Sequence, residues 1–193
     1  MGATVRAWAI AFALHVVQLH SPALAVEAPA KAAIARRAVE AVIWGMPAVN
    51  ADLMLQTMLK ATPARVNEIV YWSKPANWKN QTLTPNPDAI YFMSFWNVKE
   101  GPIVIEVPPA VGGSIAGNIV DAWQMPLEDA GPEGADGGKG GRYLVLPPEY
   151  SGEVPPGYIP LKPDTNSGFA LARSTGSRAT SSLSARCSAH ISA

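Results

Sequence analysis

Between Val26 and Arg173 the sequence has no histidine and no cysteine. The histidines are His15, His20 and His190, and the one cysteine is Cys187. Each absence removes a class of chemistry. A Ser-His-Asp triad needs an imidazole base, and thiol catalysis needs a cysteine. Zinc sites draw mostly on His and Cys, so the reading carries no metal site, and no motif implies a cofactor. No disulfide can brace the body, and Cys187 alone is a free thiol or incidental. Charge of one sign is missing too. Fifteen basic and fifteen acidic side chains give a formal net charge of zero, so binding to nucleic acid has no electrostatic support.

What is present fits one domain, or one and a part, in 193 residues. Hydrophobic residues make up 48%, enough to bury a core, and 18 prolines with 16 glycines call for many turns. The first 25 residues read as a secretory signal. Arg6 precedes an apolar run from Ala7 to Leu19, and Ala23-Leu24-Ala25 offers a small-residue cut. The competing reading is a membrane anchor, but the run is shorter than the roughly 20 residues a span needs. Cleavage after Ala25 would export the mature chain to the periplasm or outside, with no later segment expected to span a membrane.

The mature part begins with helical patterning. Ile34, Ala38 and Val42 fall at helical spacing in Lys31 to Trp44. Gly45-Met46-Pro47 is expected to break the helix, and a second is expected over Ala48 to Leu59. Strands follow. Val66 to Trp72 is a candidate, and Ile90 to Val98 is richer still, with Tyr91, Phe92, Phe95 and Trp96. The short link Lys99 to Pro102 suggests that this strand pairs antiparallel with Ile103 to Val107. Ile115 to Trp123, Arg142 to Leu146, Tyr158 to Leu161 and Thr165 to Arg173 complete the strand candidates. The expected class is α+β, with two N-terminal helices followed by a mainly antiparallel sheet. From Ser174 the composition turns to Ser, Ala and Arg without periodicity, as in a disordered tail.

Several ordered motifs go beyond patterning. Pro85, Asn86, Asp88 and Tyr91 form a P-N-x-D-x-x-Y turn and strand. Asp121-Ala122-Trp123, then Gly141, Tyr143 and Leu144, then Pro156-Gly157-Tyr158 follow in order. From about Ala30 to Arg173 the chain resembles the domain of unknown function 1254. The resemblance implies an exported bacterial protein without an established biochemical role. It also implies a second domain, the domain of unknown function 1214, downstream of the first. The tail does not look like that continuation, so a truncated or frameshifted chain is expected, lacking its C-terminal partner domain. The division is then a signal over 1–25, the domain over 26–173 and a tail over 174–193.

Candidate chemistry rests on carboxylates and aromatics. Asn86, Asp88, Tyr91, Asp121, Trp123 and Arg142 are the expected lining of a ligand cleft. The blander readings are an Asx turn at Asp88 and a paired carboxylate at Asp121. The glycine-rich stretch Gly131 to Gly141 lacks the P-loop spacing. Its acids Glu128, Asp129, Glu133 and Asp136 lack the calcium-loop spacing, so a surface loop is expected. The reading is therefore an exported binding or interaction domain for a small-molecule or envelope ligand. The alternative is a hydrolase of glycan or other envelope substrates, working through two carboxylates about 5 to 9 Å apart.

Overall fold

The strand Ile90–Asn97 sends Phe92 and Trp96 to one face and Met93 and Phe95 to the other, and all four are buried. Large apolar groups on both faces require a covering layer on each side. The computed structural model describes residues 23–75, 86–110 and 112–175. The signal segment up to Pro22, Trp78, Pro85 and the tail beyond Thr175, with Cys187 and His190, lie outside these residues.

The elements are α1 (Ala23–Ala61), β1 (Ile69–Tyr71), β2 (Ile90–Asn97), β3 (Ile103–Val107), β4 (Ser114–Asp121), β5 (Pro126–Ala130), β6 (Gly141–Val145), β7 (Ile159–Leu161) and β8 (Ser167–Thr175). They divide into two units, residues 1–46 and 47–193. In the first, the described part is the beginning of α1, where Arg37 Nη1 donates to Glu40 Oε2 at 2.7 Å. Both groups are exposed, so this pair adds little.

In the second unit five strands form an antiparallel sheet in the order β1-β2-β8-β4-β5. Ala51, Met54, Leu55 and Met58 of α1 stand at i, i+3, i+4 and i+7, one helix face. They pack on Val70, Met93, Phe95, Val120 and Phe169 of that sheet. The Phe95 and Phe169 rings sit 5.8 Å apart. A second sheet, β3-β6-β7, covers the other face. There Trp96 and Ile119 meet Ile103, Tyr143, Val145 and Leu161. Mixed helix and antiparallel sheet make the class α+β; β6 and β7 pair in parallel.

Two expectations are corrected. There is one N-terminal helix, not two. Proline's fixed φ is itself helical, and its cost is a missing N–H and a crowded carbonyl one turn back. The Ala-, Leu- and Met-rich flanks carry α1 through Pro47. Because no break intervenes, residues 30–61 form a helix long and apolar enough, by length and composition, to cross a membrane. The second correction concerns β2 and β3, which do not pair. Both edges of β2 are taken, by β1 and β8, and β3 pairs with β6 in the other sheet. Gly101, at φ 143°, turns the chain between the layers.

Candidate functional site

Rows of side chains across the five-stranded sheet decide where the two sheets touch. Facing sheets lie about 10 Å apart, so each row must supply bulk to fill the gap. Trp96 and Ile119 supply it at one end. Two residues back along β2, Ser94 lies opposite Ala170 of β8, and Phe92 lies opposite Ala172. Ala172 in turn lies opposite Gly117 of β4. A Cβ on Gly117 would collide with the backbone of Leu171 and Ala172, so the close approach of β4 to β8 requires glycine. The small residues Ser94, Ala170, Ala172 and Gly117 cannot reach the opposite sheet.

A shallow, solvent-open cleft remains there. Ile69, Phe92 and Ile115 wall it from the large sheet, and Ile105, Val107 and Pro108 face them from β3 and the residue after it. Tyr71 stacks on Phe92 at 6.2 Å and braces that wall. Glu106 is the one charged residue along the cleft among the described residues, and it is exposed.

The six polar and aromatic residues expected to line a cleft stand in three separate places. At the first, Asn86 Oδ1 accepts from the Asp88 N–H at 2.8 Å, an Asx turn. The Tyr91 hydroxyl accepts from the Asn86 N–H at 2.8 Å, so tyrosine closes the turn that precedes its own strand. Its ring meets Trp72 edge-on at 6.4 Å. Asp88 itself is exposed.

The second place is the β4–β5 hairpin. Asp121 is 4% exposed, and its Oδ1 accepts from the N–H groups of Trp123 and Met125 at 2.8 and 2.9 Å. Gln124, at φ 62°, donates from Nε2 to the Pro47 carbonyl at 2.8 Å. The register measures the distance between the two places. Tyr91 lies opposite Arg173, which lies opposite Ala116, five residues short of Asp121. At ~3.3 Å per residue, roughly 17 Å of strand separates them. The third place is on the small sheet, where Arg142 lies with its guanidinium 4.4 Å from the centre of the Tyr158 ring.

The glycine-rich stretch, expected to be a plain surface loop, is organised by Asp136, whose role composition does not reveal. This buried carboxylate accepts from the Gly131 and Gly140 N–H groups at 2.6 and 3.1 Å and from the Tyr143 hydroxyl at 3.0 Å. Its lone pairs organise the loop. Burial, with the Asp136 hydrogen bond and charge, pushes the Tyr143 phenol well above its ordinary value. Among the described residues, no three His, Cys, Asp or Glu side chains come together as a metal site. The legible signal at Asp136 was its spacing, an acid between glycines and five residues before Gly141.

Comparison with solved structures returns the VPA0106 protein of Vibrio parahaemolyticus, at TM-score 0.56 and 20% identity. The match covers 72% of this chain and 32% of that one. A putative uncharacterized protein from Burkholderia cenocepacia matches at TM-score 0.37 and 18% identity, over 59% of this chain and 32% of that one. The chain thus spans about a third of the length of each. Comparison with curated proteins finds no match. A family model described as "Protein of unknown function (DUF1254)" matches residues 66–185, from just before β1 to beyond the end of β8, and the chain belongs to that family.

Proposed function

We propose that this chain is an exported binding domain whose inter-sheet cleft takes up an apolar ligand. One observation carries the reading. Ile69, Phe92, Ile105, Val107 and Ile115 line a gap held open by small residues. Apolar wall left against water costs about 25 cal/mol per Å², and an apolar guest recovers it. The acidic groups support binding over catalysis. Asp121 and Asp136 are engaged by turn N–H groups. A carboxylate-pair hydrolase needs its acids about 5 to 9 Å apart. The register holds the Asp88 turn and Asp121 farther apart than that. Export rests on Arg6, the apolar run from Ala7 to Leu19 and the Ala23-Leu24-Ala25 cut.

The cleft is tested by titrating the purified chain with N-phenyl-1-naphthylamine, a neutral dye that brightens in apolar sites. Saturable binding is expected, and Ala172→Leu, which fills the floor, is expected to abolish it while the chain stays folded. Undiminished binding by a folded Ala172→Leu variant would move the site elsewhere. Export is tested by the intact mass of the protein from its producing cell, expected to begin at Val26.

A further inference from the structure

Besides the face that packs on the sheet, α1 carries a second apolar stripe. Val39, Val42, Met46, Val49 and Leu53 recur at alternating steps of three and four residues, and each is at least 58% exposed. Ala32 and Ala35 extend the same steps toward the N-terminus. Seven positions in a row thus follow the a and d places of a heptad with no polar residue among them, until Gln56 and Lys60 end the pattern. In the same frame Ala51, Met54, Leu55 and Met58, which pack on the sheet, take the b, c and f places. Those places lie on the side of a helix away from its a/d seam, so one helix serves both faces at once. An exposed apolar row of this size marks an interaction surface.

We infer that this stripe is the seam of a homodimer, in which α1 of a second copy lies antiparallel against it. A 3.5-residue repeat fits another helix, because it keeps the contact in line as the two supercoil. A seam shared by two copies of one chain is isologous, with the same residues on each side. Charge sets the direction. Arg37 is paired with Glu40, and Arg36 has no ion pair among the described residues. A parallel pair would set Arg36 beside Arg36 of the second copy. In an antiparallel pair Val39 meets Val49, Val42 meets Met46 and Ala35 meets Leu53, which brings Arg36 level with Asp52 of the second copy. A lipid bilayer is the poorer occupant. The longest uncharged run in Ala30–Ala61 is Ala41 to Ala51, eleven residues. That is about half of the roughly 20 a span needs. Beyond that run Met54, Leu55 and Met58 are packed on the sheet.

The test measures the mass of the chain, purified from its producing cell without detergent, by sedimentation velocity across a dilution series. Twice the mass of one chain is expected, with dissociation to monomer on dilution. Val42→Glu and, separately, Val39→Glu put a charge into the seam. Each is expected to raise the dissociation constant about a hundredfold or more. Ala41→Glu, exposed at a c place, is expected to leave it unchanged. All three positions are exposed in the single chain, so the circular dichroism of each variant should stay that of a folded protein. A wild type that remains monomeric, or equal effects of Val42→Glu and Ala41→Glu, would overturn the seam. Direction is read by oxidising mixed chains that also carry Cys187→Ser. Ala35→Cys is expected to cross-link with Leu53→Cys and not with itself. Self-linking of Ala35→Cys would overturn the antiparallel arrangement. A monomer that floats with vesicles of phosphatidylethanolamine and phosphatidylglycerol would assign the stripe to a membrane, and the dimer would be overturned.

Discussion

Asp121 and Asp136 do the same work at opposite ends of β5. Each is a buried carboxylate whose oxygens collect backbone N–H groups that the turn would otherwise leave unpaired. Asp121→Ala strands the N–H groups of Trp123 and Met125. We expect a loss of about 2 kcal/mol in urea unfolding, with dye binding in the cleft unchanged. Asp121→Asn keeps one oxygen and should lose less. Tyr143 gives a pH signature. Its phenol is held protonated in the fold, above the ordinary value of 10.0. The unfolded chain therefore releases this proton first as pH rises. Stability should be fully present below pH 10 and decline above it. Denaturant unfolding between pH 9 and 11.5 should show the decline, and Tyr143→Phe should flatten it. Of these roles, a turn at Asn86–Asp88 and a paired Asp121 are legible in the residues, because Asx chemistry is local; the turn's acceptor, expected at Asp88, is Asn86. The pairing of Asp136 with Tyr143 is not legible, since it depends on where a loop returns.

At the scale of elements, strands were easier to read than their partners. The bounds of β2 and β3 follow from runs of β-branched and aromatic side chains, which need no tertiary information. Their assignment to different sheets does not follow, because a short link permits both a hairpin and a step between layers. β5, Pro-Leu-Glu-Asp-Ala, carries no strand composition and exists as an edge paired to β4. Proline is tolerated at the start of such an edge. The unbroken α1 shows the same limit. Gly45 and Pro47 weaken a helix locally, and neither ends this one. A Cβ on Gly45 would meet nothing within 4 Å. Gly45→Ala should therefore stabilise the helix by about 1 kcal/mol, seen as greater helicity by circular dichroism on heating. Unchanged helicity on heating would contradict this prediction.

At the scale of the molecule, the second unit is a helix face, a five-stranded sheet and a three-stranded sheet in layers, with bulk distributed unevenly between the sheets. Trp96 and Ile119 fill one end of the gap, while the small side chains Ser94, Ala170 and Ala172, with Gly117, leave the space beyond them open. That unevenness was invisible in the sequence, since a floor of alanine, serine and glycine reads as weak strand until registers are known. Motif order likewise does not tell that the Tyr91 turn and Asp121 stand at opposite ends of their strands. The measurement closest to the central claim is methyl NMR of the full chain titrated with 1-decanol. Shifts are predicted at Ile69, Ile105, Val107, Ile115, Ala170 and Ala172, with Ala51, Met58 and Val120 of the helix-facing core unmoved. Shifts centred on Ala51, Met58 and Val120, or no saturable shift at the cleft methyls, would contradict the account.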